Sequence, residues 1–148
     1  MPCVLPGTHV TRFLRMAGSV AALQMYDPAL PYVFPQHGRG RKHTRPIRLT
    51  AWQRALTERH PKCLIRGLIH SDGCRVVNQF ETKLPSGRVA EYSYPRYFFS
   101  NLSADIREIF CDHCDLLGIR WTQSNHRNIS VSHRTSVARL DEFVGPKS

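Results

Sequence analysis

Acidic residues are scarce in this sequence: Asp and Glu total 11 against 21 Lys and Arg in 148 residues, a formal charge of +10. That balance argues against a cationic partner and favours a polyanion, nucleic acid first; a basic surface that only aids solubility is the plainer alternative. Long apolar runs are also missing. Nothing approaches the roughly 18 to 20 residues that span a bilayer, so a membrane protein is not expected. Arg12 and Arg15 followed by Met16-Ala-Gly-Ser-Val-Ala-Ala-Leu23 mimic a signal peptide, but the stretch is short and interrupted, so the expected setting is cytoplasmic. The cysteine count is odd, five, which excludes a complete disulfide framework and suits reduced thiols. No phosphate-cradling glycine loop, Gly-x-Ser-x-Gly elbow or paired-carboxylate glycosidase pattern occurs.

What is present is about one domain's length, with 41% apolar residues, enough for one core. Prolines at 2, 6, 28, 31 and 35 make the first third look irregular, apart from a short strand through Val20 to Met25. The stretch Gly38-Arg-Gly-Arg-Lys-His-Thr-Arg-Pro-Ile-Arg48 reads as an exposed, charged connection, giving an irregular basic segment over 1–49 and a folded domain over 50–148.

Within that domain the signals sharpen. Thr50 is a plausible N-cap for a helix bearing Trp52, Leu56 and Arg59, and Pro61 permits a second helix. In the second, Cys63, Leu64, Gly67 and Leu68 recur at helical spacing before Asp72-Gly73 stops it. Strands over Cys74 to Thr82 and Val89 to Asn101 flank a Leu84-Pro-Ser-Gly-Arg88 turn, which is a hairpin. Ser103 caps a helix with Ile106, Ile109, Phe110, Cys114 and Leu117 as its apolar positions, ending at Gly118. Strands over Ile119 to Gln123 and Asn128 to Ser132 follow. A last helix from about Thr135, with Val137, Leu140 and Val144 inward, stops at Gly145-Pro146. The order from Pro61 is α-β-β-α-β-β-α, so the expected class is α+β, an α/β sandwich: a four-stranded antiparallel sheet with helices on one face and the other free.

At Ile65-Arg-Gly-Leu-Ile-His-Ser-Asp-Gly73 the chain resembles the nine-residue signature of the LAGLIDADG (DOD-type) homing endonucleases, matching at Gly67, Leu68, Ile69, Asp72 and Gly73. The element order to the chain end is also that family's, so the resemblance covers about Thr50 to Ser148. Phe34-Pro-Gln-His-Gly-Arg-Gly-Arg-Lys-His43, Trp52-Gln53 and Phe143-Val-Gly-Pro-Lys147 look like a bacterial branch whose members often carry two repeats; this chain looks like a second repeat preceded by the tail of a first.

The resemblance implies a metal-dependent DNA endonuclease. Two signature helices pack together, here through Gly67 and Ser71, whose small size on one face lets a second helix approach, and each delivers its last Asp to the DNA backbone. Asp72 occupies that position, as catalytic and metal-binding residue, and its hard oxygens suit Mg²⁺. A homodimer on double-stranded DNA would supply the second helix. Arg66 and His70 depart from the signature, standing in place of a small residue and an Asp. With the single motif they favour an alternative, a DNA-binding regulator that does not cut; the proline-rich, poorly patterned first third favours another, a truncated remnant. Lys147 resembles part of the family's C-terminal basic region and would assist at the cleavage site.

In that fold the open sheet face lies in the major groove, which makes Arg75, Asn78, Gln79, Arg96, Gln123, Asn125 and Arg127 candidate base or phosphate contacts. Polarity alternation turns Arg75 and Gln79 outward, whereas the family's pattern turns Asn78 outward, and both phases stay open at this point. Arg39, Arg41, Lys42, Arg45 and Arg48 form the clearest phosphate-binding group. Tyr92, Tyr94, Tyr97, Phe98 and Phe99 are expected in sheet and core packing rather than base stacking. Cys111-Asp-His-Cys114 has a common zinc-ligand separation, but Cys63 and Cys74 make no matching pair and the segment sits mid-helix, so buried thiols are expected instead of zinc.

Overall fold

The computed structural model describes residues 10–15, 20–34 and 36–146. The chain divides into two compact units, Met1–Arg39 and Gly40–Ser148. In the first, β1 (Val10–Arg15) pairs antiparallel with β2 (Val20–Met25), and α1 (Leu30–Val33) follows. Strand β2 matches its expected span, whereas β1 falls in a stretch expected to be irregular. The prolines of this region flank residues 7–27 and leave none inside it, so nothing blocks a ladder there.

The second unit begins with a 3-10 turn at Lys42–Thr44, then α2 (Ala51–Arg59) and α3 (Pro61–Asp72). The Thr50 N–H donates to the Gln53 side-chain oxygen at 3.0 Å, closing a capping box at the start of α2. Pro61 opens α3, whose inward face is Ile65 and Ile69 with Leu68 beside them. Then come β3 (Gly73–Lys83), β4 (Val89–Ser100), α4 (Ala104–Leu116), β5 (Thr122–Gln123), β6 (Asn128–Val131) and α5 (Arg134–Asp141). The fold is α+β: the sheet is antiparallel in the order β3-β4-β6-β5, with helices packed against it.

Local chemistry explains the ends of α4. The Ser103 hydroxyl accepts from the Ile106 N–H at its start. At its end Gly118 adopts φ +62°, its N–H reaches the Asp115 carbonyl, and the Ile119 N–H reaches Cys114. This pair of bonds is a Schellman close. It consumes Ile119 as a core residue, so the strand expected from Ile119 shrinks to Thr122–Gln123.

The core forms where α3, α4 and α5 meet one sheet face: Ile65 and Ile69, Phe110 and Cys114, Val137 and Leu140, against Tyr97, Phe99, Ile129 and Val131. Phe99 stacks on Phe110 with centroids 4.4 Å apart. Because β4 alternates, Tyr97 and Phe99 assign that face to its odd positions.

Helix α3 runs into β3 without a loop. Gly73 is extended (φ −114°, ψ 173°) rather than left-handed, so its backbone is one that any residue adopts. Its need is steric: a Cβ there would stand 2.8 Å from Ile69 Cα and 2.8 Å from the Phe98 carbonyl oxygen, both backbone atoms. Gly73→Ala is therefore expected to destabilise the second unit by about 1–3 kcal/mol, as overpacked cores do. A urea midpoint indistinguishable from wild type would contradict that close approach.

Candidate nucleic-acid interface

Strand register decides which polar residues share a face. Opposite β3, β4 presents the pairs Cys74/Phe98, Val76/Arg96, Asn78/Tyr94, Phe80/Tyr92 and Thr82/Ala90. These are the even positions of β4, so they lie on the face turned away from the core. Asn78 and Arg96 are there; Arg75 and Gln79 lie on the helix side, opposite Tyr97 and Ser93. Gln123 pairs with buried Ile129 and borders the cleft beside α4, so it too lies on the helix side. The phase with Asn78 outward is the one that forms, and Arg75, Gln79 and Gln123 are corrected to the other face.

Arg75 has a different occupation. Its Nε and Nη2 donate to the Asp141 carboxylate at 2.8 and 3.0 Å, and the Tyr97 hydroxyl donates to the same carboxylate at 2.6 Å. The pair fastens β3 to the end of α5. The Arg75 hydrogen bond, more than the one from Tyr97, holds the Asp141 carboxyl below its ordinary range. Burial first and the Asp141 carboxylate second push the Tyr97 phenol up, so it stays protonated. A cleft of about 410 Å³ opens beside this pair, between Ile69, His70, Val144 and Pro146, but the two charges are spent on each other.

On the open face the Asn78 amide donates to the Tyr94 hydroxyl at 3.0 Å. The Arg96 guanidinium lies 4.3 Å from the centroid of Phe98 and donates to the Ser130 hydroxyl at 2.5 Å. Tyr97 and Phe99 are core residues as expected, whereas Tyr92 is exposed and stacks on Phe80. At the β5–β6 turn, Asn125 Oδ1 accepts from the N–H groups of Arg127 and Asn128, both at 3.0 Å, so Asn125 shapes the turn and Arg127 projects from it exposed.

The basic segment does not form a single strip. Arg39 belongs to the first unit and Arg41 to the second, both exposed. Lys42 lies in the 3-10 turn. Arg45 is half-buried, with Nε and Nη1 enclosed. The Ile47 N–H donates to the Asp105 carboxylate at 2.5 Å, and Arg48 lines a cleft with Asp105, Glu108 and Asp112 of α4. The end of the Gly38–Arg48 stretch, expected as an exposed connection, therefore lies against the acidic side of α4 at Ile47 and Arg48, in the helix layer.

Asp72 ends α3 exposed, and its Oδ2 accepts from Asn101 Nδ2 at 3.1 Å. Asn101, buried just past β4, is a positioning residue that the sequence marks only as a strand end. Its Oδ1 accepts from the Ser103 N–H, its own N–H reaches the Arg127 carbonyl, and Arg107 Nη1 donates to its carbonyl at 2.7 Å. Asn101 thus ties the Asp72 carboxylate to the α4 cap and the β5–β6 turn; the one sequence signal was an Asn two residues before a capping Ser. His70 Nε2 donates to the Val144 carbonyl at 2.9 Å, so this departure from the signature braces α3 against the chain after α5.

The opposite side of α3 is open. Cys63, Gly67 and Ser71 stand four apart and exposed, and beyond its chain neighbours and the helix's own backbone no described atom lies within 4 Å of where a Gly67 Cβ would be. Cys111 and Cys114 are buried in α4, and burial pushes the Cys111 thiol up to about 12 and Cys114 higher. Among the described residues no three His, Cys, Asp or Glu side chains converge on a metal-sized site. Lys147 lies outside the described residues. No helix among those described is long and apolar enough to cross a membrane. No protein-family model matches the chain, and no curated protein matches it.

Because the folded Asp141 carboxyl is more acidic than in the unfolded chain, the stability it contributes is present above about pH 4 and lost as pH falls through the folded value. Both partners are more than one third exposed, so Asp141→Asn is expected to cost less than about 1 kcal/mol at pH 7. The gap between wild-type and variant urea midpoints should close on acidification. A gap constant down to pH 3 would show that the pair is not ionic.

Proposed function

We propose that the chain is a DNA-binding protein of the LAGLIDADG homing-endonuclease type, with α3 as its signature helix and Asp72 as the acid that helix delivers. The observation that carries the reading is α3 itself. One side is buried through Ile65 and Ile69, the other offers Cys63, Gly67 and Ser71 with open space above Gly67, and the helix ends in an exposed carboxylate. Glycine in a helix interior costs about 1 kcal/mol against alanine, and a second helix approaching closely is what would offset it. The αββαββα order from Pro61 and a sheet face that packs none of the second unit's helices agree with the same reading.

Two copies related by a two-fold axis would bring two Asp72 side chains together across paired helices. The donor set fits a hard divalent cation such as Mg²⁺: an exposed carboxylate whose Oδ2 is oriented by Asn101. Bound there, the metal would activate water and offset charge at the phosphodiester. Asn101 is the positioning residue in this scheme. Arg96 on the open face, with Arg127 at the turn and Arg41 outside it, would meet phosphate, and Asn78 is the side chain placed to read a base edge. An intracellular, reducing setting suits the exposed thiols of Cys63 and Cys74.

A non-cleaving DNA-binding regulator is the second reading, favoured by Arg66, which projects exposed from α3 beside Gly67 and would put like charges near a symmetric helix seam.

Incubation with Mg²⁺ and a plasmid library of random duplex targets separates the two. Cleavage by wild type that vanishes in Asp72→Asn, with duplex binding retained, is the outcome expected; salt-sensitive duplex binding without product supports the regulator. No duplex binding at all would defeat both. Gly67→Trp is expected to leave the melting temperature of the isolated chain unchanged, to reduce the DNA complex from two protein copies to one by mass, and to abolish cleavage. A variant of unaltered mass and activity would refute the helix pairing.

A further inference from the structure

The open face of β3 and β4 carries more aromatic surface than a polar duplex-reading face needs. Phe80 and Tyr92 stack with centroids 5.3 Å apart and planes 19° apart, and Phe80 meets Tyr94 edge-on at 6.0 Å. Phe80 and Tyr92 are each 44% exposed. Strand β6 pairs β4 only from Tyr97 to Ser100, so these rings sit on a two-stranded ribbon extending past the packed sheet.

Charge selects one side of that ribbon. None of the five cross-strand pairs on the aromatic face contains an acid, and its one ionised side chain is Arg96, while Arg88 stands exposed at the hairpin tip. On the reverse face Glu81 stands opposite Glu91, which repels a polyanion. Spacing then selects the ligand. Alternate residues of β4 (Tyr92, Tyr94, Arg96, Phe98) recur about every 6.8 Å, twice the roughly 3.4 Å step of bases stacked in a duplex. With Arg96 laid over Phe98, the exposed rings of Phe80 and Tyr92 are the surfaces open to splayed bases, and each base has a face that stacks on an aromatic ring whatever its sequence.

We propose that the outward face of the β3–β4 ribbon is a stacking platform for unpaired bases and binds single-stranded nucleic acid, with Phe80 and Tyr92 as its principal rings. This inference does not rest on the duplex reading above.

The test is fluorescence anisotropy of the full chain with a labelled oligothymidylate and, separately, with a duplex of equal length. Wild type is expected to bind the oligothymidylate and to lose at least about tenfold in affinity in the Phe80→Ala/Tyr92→Ala double variant, with duplex binding unchanged. Since truncating both rings endangers the ribbon, Phe80→Ile/Tyr92→Ile, which keeps strand-forming side chains, must show the same loss with an unaltered circular dichroism spectrum. A wild type that binds duplex but not oligothymidylate overturns the platform and leaves duplex recognition standing. Isoleucine variants that bind oligothymidylate like wild type also overturn it, as does a fall in oligomeric mass without change in binding, which would show that a second copy covers the rings. Binding to neither probe overturns both readings.

Discussion

The join between α3 and β3 governs the second unit. With no loop between them, the last turn of the helix and the first residue of the strand are one rigid corner, and Gly73 is the only residue type whose side chain fits between Ile69 and the Phe98 carbonyl. That contact sets Gly73 opposite Phe99, and the whole register of the hairpin follows. A slip by one residue would exchange the two faces of β3, sending Asn78 to the helices and Arg75 to the open side. It would also move Asp72 away from Asn101. The arrangement of the acid, the brace behind it and the choice of residues on the free face are consequences of one missing Cβ.

From that corner the helix layer is locked by contacts distant in sequence. Arg75 reaches α5, His70 reaches the chain beyond α5, and Asp105 receives the Ile47 backbone. Each joins α3, β3 or α4 to a segment that enters or leaves the fold, and each spends a residue whose polarity suggested exposure. The basic stretch shows the cost most clearly: its backbone at Ile47 and the Arg48 side chain answer the acidic side of α4, and Arg45 is half-buried, leaving Arg41 exposed outside that cleft.

Element order was legible in the residues because its signals are local. Thr50, Pro61, Ser103 and Gly118 each mark a helix end through a bond or a backbone angle made within a few residues, and the structure uses all four. Strand phase was not legible. Val76, Val77 and Phe80 give β3 apolar side chains on both faces, so alternation has no single answer until the glycine corner fixes it. Arg75 looked outward because a charge usually is, and its partner Asp141 lies 66 residues away, beyond any sequence window. Asn101 went unnoticed for the same reason: its four bonds converge from α3, α4 and the β5–β6 turn, and only the fold brings them together. Lone Asp72 was legible as a helix-terminal acid, its orientation was not.

The ribbon beyond β6 has a consequence for how this surface can change over generations. Two strands without a covering layer are marginal in water and depend on cross-strand side-chain pairs for cohesion. Here those pairs are the stacked Phe80 and Tyr92 with Tyr94 against them, the same atoms turned toward solvent. Support and surface are therefore one set of rings. Drift at any of the three alters the scaffold and its outward chemistry together, so the strands can vary only in concert, while the turn is held separately by Gly87 at φ +83°.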